Sequence, residues 1–315
     1  MDGSPRQAAV DPEGGQPTAA PARPQPATID LHTHTLRSDG LLRPAELARA
    51  AAAAGVRLLA ITDHDTLAGY REVARTHGAL PPGLELIPGV EINTIVRGYP
   101  SLAGSEIHVL GLGVHPADEA FEATLATQRQ ARRIRFERMV ERLAEIGLDV
   151  REAVEGPGSA DRAGPSDEDD ALGRPTVARA LVAIGAATSV EDAFERFLIW
   201  GRPGHVAREG LGPTEAIHAI RSAGGLPVLA HFRDALERID VVRELAESGL
   251  GGIEVHHLSF EPATVAEVAE VAVRLGLVPT GGTDYHGDLG TYAEAHARLA
   301  IPGAVGEQVR AALGR

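Results

Sequence analysis

The 315-residue chain has no cysteine, which excludes disulfides, thiolate nucleophiles and zinc–thiolate sites. It has no lysine either, because all 30 basic residues are arginine. Lysine Schiff-base catalysis and the phosphate-binding lysine of a P-loop are therefore unavailable. Aromatic residues make up only 3% of the chain, too few to build stacking platforms along single-stranded nucleic acid. No apolar run approaches the length of a membrane span. Basic charge is also in deficit: 44 acidic residues against 30 basic ones give a net charge of −14. That balance argues against duplex DNA or an anionic membrane as a partner. Residues 1–27 lack the basic start and apolar stretch of a secretory leader and are rich in Pro, Ala and Gly. They are expected to form a disordered tail on a cytoplasmic protein.

The hydrophobic content, 43% of residues, is enough for a sizeable core. From residue 28 onward, short apolar runs alternate with helical patterns. The strand candidates are "TIDL", "RLLAIT", "LELIPGVEI", "IHVLGLG", "LPVLA", "GIEV" and "LVPTGG". Runs without polar alternation suit parallel strands covered on both faces. Between them, "RPAELARAAAAAG", "PTEAIHAIRSAG" and "PATVAEVAEVAVRLG" carry helical periodicity, with Pro near the start and Gly at the end. Repeated β-α units imply an α/β protein with a parallel sheet or barrel. Residues 118–205 break this rhythm with a long amphipathic helix, an acidic Gly/Pro-rich loop and a second helical stretch. This segment reads as an inserted helical subdomain capping one end of the barrel, without a core of its own.

The strand ends carry the chemistry. In "TIDLHTHTLRSDG", His32 and His34 are two residues apart, so an extended chain projects both to one side. The ends of later strands read "TDHD", "GVE" and "TDYH", and single histidines sit in or beside two more. One rim therefore gathers His32, His34, Asp39, His64, Glu91, His108, His231, Asp284 and His286. Left unpaired, so many imidazoles and carboxylates would be very costly to bury together. Bound divalent ions resolve this, and mixed N/O donors without thiolate suit Mn, Zn or Fe. Nine ligands exceed one ion's needs, so two or three transition-metal ions are expected. His77, His115, His218 and His296 lack such a pattern and read as surface or structural. One of His256 and His257, after "GIEV", is expected to line the pocket.

The set "DLHTHTLRSDG", "LLAITDHDT", "IPGVEI", "IHVLGLG", "LAHF", "GIEV" and "GGTDYHGD", in this order, resembles the polymerase-and-histidinol-phosphatase (PHP) family. Within it, the chain is most similar to the branch of TrpH-like metal-dependent phosphoesterases. The resemblance implies a distorted (β/α)7 barrel over residues 28–315, interrupted by the helical insertion. It also implies a trinuclear metal centre ligated by the same nine residues, with Glu91 bridging. The implied reaction is hydrolysis of a phosphomonoester by a metal-bridging hydroxide held by Glu91, Asp284 and His64. The substrate implied is a small nucleotide, foremost a 3',5'-nucleoside bisphosphate. Histidinol phosphate and the 5' end of RNA are alternatives.

In "QRQARRIRFERM", Arg129 and Arg132 lie one helical turn apart and can grip a single phosphate. The resemblance implies that this pair, with Arg174 of "GRPTVA", holds a phosphate that is not cleaved. The chain departs from the family pattern at Thr176, His205 and Phe232. None of these is a ligand by the match, so the departures bear on the substrate pocket and leave the metal centre intact. Two other classes compete. A metal-dependent amidohydrolase would use a carbamylated lysine, or a His-x-His with later single histidines and one Asp; the missing lysine and the "TDHD" and "GVE" motifs count against it. A non-enzymatic regulatory domain would have lost ligands, and all nine are present.

Overall fold

The computed structural model describes residues 27–96, 107–155 and 171–314. The expected tail falls outside these residues except for Ala27, which is buried, and most of the acidic loop of the insertion also lies outside them.

Among the described residues, seven strands form one sheet in chain order: β1 (Ile29–Asp30), β2 (Leu58–Ile61), β3 (Glu85–Thr94), β4 (Ile107–Leu112), β5 (Leu226–Leu229), β6 (Gly252–His257) and β7 (Val278–Gly282). β1 and β7 meet at the seam, where Leu31 N–H donates to the Gly281 carbonyl at 3.1 Å and Thr33 bridges Tyr285 in parallel. The sheet is thus a nearly closed, distorted (β/α)7 barrel. The seam is tight enough that a Cβ on Gly282 would fall 2.5 Å from the backbone nitrogen of His32.

The strands are parallel with one exception. β4 runs antiparallel to both β3 and β5, a reversal that a parallel reading of the sequence does not anticipate. It brings the start of β4 to the rim where the other strands end. His108, the second residue of β4, consequently pairs with Asn93 near the end of β3.

Alternation along the strands divides the core. Ile29, Leu31, Leu58, Ala60, Ile87, Leu110, Leu112 and Val228 form one cluster, joined by Val305 and Val309 of the C-terminal helix Gly303–Ala312. Their neighbours face the surrounding helices. Leu59 and Ile61 pack with Leu47 and Ala51 of α1 (Pro44–Ala53) and with Val73 of α2 (Ala68–Arg75). Ile253 and Val255 pack with Val268 and Val271 of the helix Pro262–Leu275. Proline opens this last helix, and Gly276, in the left-handed region at φ 65°, closes it.

The insertion comes after β4. α3 (Glu119–Glu145) buries Phe121 and Leu125 against the barrel cluster. Its C-terminal half carries Phe136, Met139 and Leu143 into a separate cluster with Val177 and Leu181 of α5 (Arg174–Ala183) and Leu198. α4 (Arg151–Glu155) lies between these two helices in sequence. The insertion therefore does have a core of its own, contrary to the expectation from sequence. A helix of this length outruns the barrel, and its far apolar face needs a partner.

Candidate metal centre

Two buried carboxylates shape the rim before any site residue is placed. Asp30 accepts from Thr283 N–H at 3.0 Å, from its hydroxyl at 2.7 Å and from the Tyr292 hydroxyl at 2.7 Å, tying the exits of β1 and β7 together. Asp63 accepts from Thr35 N–H, the Thr35 hydroxyl and the Ser38 hydroxyl, each at 2.7 Å. It thereby folds the loop that carries His34 and Asp39. Among the described residues, the non-glycine positions with left-handed φ are Asp65 (52°), His231 (33°) and Asp284 (50°). All three adjoin the site, where such strain is tolerated because surrounding contacts hold it.

The structure brings all nine predicted residues together, with Glu91 at the hub. Its Oε2 lies 2.9 Å from His64 Nδ1, 3.2 Å from His34 Nε2 and 3.4 Å from His32 Nε2. Its Oε1 faces His108 Nδ1 at 2.7 Å and His231 Nε2 at 3.2 Å. Asp284 Oδ1 stands 3.2 Å from both His32 Nε2 and His34 Nε2. Asp39 faces His64 Nε2 at 3.3 Å and His286 Nε2 at 3.2 Å.

These atoms fit divalent ions. Among the described residues, donor atoms lie within 4.8 Å of one another in four overlapping groups: His34, Asp39, His64 and His286; His32, His34 and Glu91; Glu91, His108 and His231; and His32, Glu254 and His257. His32 Nε2, His34 Nε2, His64 Nδ1 and Asp39 Oδ1 are buried without a hydrogen-bond partner. Each such orphan costs about 1–3 kcal/mol, and orphans converging on one point are what an ion would satisfy.

Within the cluster, opposite charges set the titration of its members. Burial works against the charged form of Asp39, yet the His64 and His286 imidazoles hold its carboxyl well below the ordinary range. Burial likewise opposes ionisation of Glu91 and Asp284. His64 and His108 overcome it for Glu91, and His32 and His286 for Asp284, so both stay well below the ordinary range. For His34, burial lowers the pKa, but the Asp284 and Glu91 carboxylates standing against Nε2, with Asp39 nearby, outweigh it and raise the pKa to about 10.

A cavity opens over this cluster, with Asp39, His64, Glu91, Asp284 and His286 in its lining. Its other side is cationic: Arg132, Arg174 and Arg208 line it, beside Asn93 and Phe194. Arg132 is fixed by Asp65 Oδ2 at 3.0 and 2.9 Å and by Asn93 Oδ1. The Arg174 guanidinium carbon lies 5.5 Å from the centre of the Phe194 ring. Arg129 is placed differently. It is buried, donates to the Asp65 carbonyl at 3.1 Å and to Glu122 at 2.7 Å, and does not line the cavity. None of Thr176, His205 and Phe232 lines it either.

Three site features escaped the sequence reading. Arg208 belongs to no helical pattern, so nothing in the periodicity marks it. Glu254 Oε1 lies 3.2 Å from His32 Nδ1 and its Oε2 accepts from His231 N–H at 2.8 Å. Its signal was a carboxylate in the middle of the apolar run "GIEV". The third is the choice between the two histidines next to it. His257 is buried and faces Asp284, whereas His256 is partly exposed.

The PHP domain family matches residues 30–149. The 3',5'-nucleoside bisphosphate phosphatase of Chromobacterium violaceum is 33% identical over 82% of this chain and 87% of its own length. The 5'-3' exoribonuclease Rnm of Escherichia coli is 32% identical over 82% of this chain and 84% of its own. Among solved structures, a Bifidobacterium adolescentis protein described as a metal-dependent phosphoesterase superposes with a TM-score of 0.75 at 28% identity. That superposition covers 93% of this chain and all of the other.

Proposed function

The chain belongs to the PHP domain family and is a metal-dependent phosphoesterase, and from that premise we propose that it removes one phosphate from a 3',5'-nucleoside bisphosphate. One observation carries the reading: a single cavity has a carboxylate–imidazole floor and a wall of three arginines. Three guanidinium groups beside the floor are more cationic charge than a lone phosphoryl group needs, and a second phosphate gives them a partner. Guanidinium groups suit that task because their fixed fork matches phosphate oxygens. Phe194 adds an aromatic face beside them, which suits a nucleoside better than a sugar phosphate. The phosphatase from Chromobacterium violaceum supports the same substrate by its name.

The nine predicted residues would hold two or three ions, manganese foremost, with Glu91 shared between groups. Bound there, divalent ions supply Lewis-acid stabilisation of phosphoryl charge and a nucleophile at neutral pH. The protein's own contribution is orientation. The Glu254 carboxylate accepts from His32 Nδ1, which leaves the Nε2 lone pair directed at the centre. Asp65 and Asn93 fix the Arg132 fork before substrate arrives, so little side-chain entropy is lost when the phosphate binds. The described helices of the insertion carry Arg132, Arg174 and Phe194 of that wall.

The experiment is phosphate release, with added manganese, from four substrates: a 3',5'-bisphosphate, the matching 5'-monophosphate, histidinol phosphate and a 5'-phosphorylated oligoribonucleotide. The bisphosphate is expected to have the highest kcat/KM. Equal rates on bisphosphate and monophosphate would sink the proposal. Preference for the oligonucleotide would replace it with an exonuclease, the activity named for the Escherichia coli relative.

A further inference from the structure

β6 contributes none of the nine predicted ligands, yet two of its side chains reach the centre. In a regular strand, residues two apart share a face and residues three apart do not. The β6–β7 ladder shifts register between Glu254 and His256, and that irregularity reverses the parity of the residues beyond it. Glu254 and His257 consequently reach the same donor group, which the partly exposed His256 does not join.

His257 has the makings of a further ligand. It is 9% exposed, its buried Nε2 approaches only the Asp284 carboxylate, at the longer distance of an ion pair rather than a close hydrogen bond, and it groups with His32 and Glu254 within 4.8 Å. Its other nitrogen decides otherwise. The Ser259 backbone N–H points at Nδ1 from 3.2 Å, and the Ser259 hydroxyl lies 2.8 Å from the same atom. An amide nitrogen can only donate. Nδ1 must therefore accept, because a proton there would collide with the amide hydrogen. The neutral ring then carries its proton on Nε2, which leaves that atom no lone pair for a metal. The acceptor it faces is Asp284 Oδ2, 3.4 Å away. The other Asp284 oxygen faces His32 and His34.

We propose that His257 is a positioning residue: its Nε2–H holds the outer oxygen of Asp284, so that the inner oxygen is presented to the metal, and His257 itself binds no ion. The inference rests on Asp284 being a ligand, and it deepens the metal-centre reading independently of substrate. It predicts two things of the zinc-loaded protein. In nitrogen-15 spectra, His257 should be protonated at Nε2, with Nδ1 bare. His257→Leu should bind zinc roughly ten- to a hundredfold more weakly, in the range that outer partners of metal ligands contribute. His257→Gln, whose amide nitrogen can replace Nε2–H, should recover most of that loss. An Nδ1-protonated ring with Nε2 on zinc would overturn the proposal. So would a His257→Gln variant as weak as His257→Leu, or no loss in either. If the leucine variant fails to fold, the tautomer in the unaltered protein still decides. Neither readout involves a phosphorylated substrate, so a failed bisphosphate panel leaves this inference standing.

Discussion

The Arg129 guanidinium donates to the Glu122 carboxylate at 2.7 Å, one helical segment back on α3. Glu122 also pairs with Arg71 of α2 at 2.6 Å. Arg129 is thus part of the joint between insertion and barrel, while Arg132, one turn on, reaches the cavity. The two arginines should respond differently to truncation. Arg129→Ala should cost roughly 1–3 kcal/mol of stability, less than a fully buried pair because Glu122 is partly exposed. It should lower bisphosphate and monophosphate turnover alike. Arg132→Ala and Arg174→Ala should instead cut kcat/KM roughly ten- to a hundredfold on the bisphosphate alone. Denaturation midpoints and kcat/KM on both substrates separate these outcomes, and an Arg129→Ala effect confined to the bisphosphate would refute the assignment.

Glu91 is the group on which the centre turns, since its two oxygens face five imidazoles. Glu91→Gln keeps the shape and removes the charge. It should reduce bound metal per chain and lower turnover by roughly a hundredfold or more. His286→Asn, which touches only one of the overlapping donor groups, should do less. Elemental analysis beside kinetics checks the ranking. Equal metal content in the Glu91→Gln variant and the wild type would show that Glu91 is not shared between ions.

The floor of this site was legible in the sequence because most donors sit at or just beyond the end of a strand, with Glu91 inside β3 and Asp39 in the loop after β1, and strand ends are fixed by short apolar runs with few alternatives. Its walls were less legible. Arg129 and Arg132 share a helix face in sequence, yet whether each meets solvent, substrate or Glu122 depends on where α3 crosses the barrel. Arg208 reaches the cavity from an irregular segment that has no period to read. The reversal of β4 was hidden because a six-residue apolar strand looks the same in either direction. His257 was hidden by a register irregularity, which alternation by definition does not encode. The insertion's separate core was undercounted because its cluster joins residues 136–143 to residues 177–198, across a loop.

The seam between β1 and β7 gives a test of closure that does not depend on ligands. An alanine Cβ at Gly282 would sit 2.5 Å from both the nitrogen and the Cβ of His32, and backbone cannot rotate away as a side chain tip can. Gly282→Ala should therefore cost roughly 1–3 kcal/mol of overpacking strain. Because the displaced atoms belong to His32 itself, metal affinity should fall together with the melting temperature. A variant with native stability would show that the seam is looser than these distances imply.

The last expectation concerns pH and arises from the same charges. In the metal-free protein His34 has its pKa raised from 6.5 to about 10. The folded state then binds the proton more tightly than the unfolded state does. That stabilisation is fully present below about 6.5 and is lost as pH rises toward about 10. Asp39, Glu91 and Asp284 work in the opposite sense. Their folded pKa values are depressed, so their contribution is present above the ordinary values of 3.8 and 4.5 and is lost as pH falls below them. Metal-free protein should thus lose stability on the alkaline side of neutrality. Bound ions demand bare imidazole nitrogens, so loading them removes this alkaline loss and releases protons. Denaturant midpoints of metal-free and zinc-loaded protein across the alkaline range test the first point. Calorimetric zinc titrations in buffers of different ionisation enthalpy count the protons released. A metal-free midpoint that stays level or climbs as pH rises through this window would contradict the charge arrangement around His34, and zinc binding without proton release would contradict it a second time.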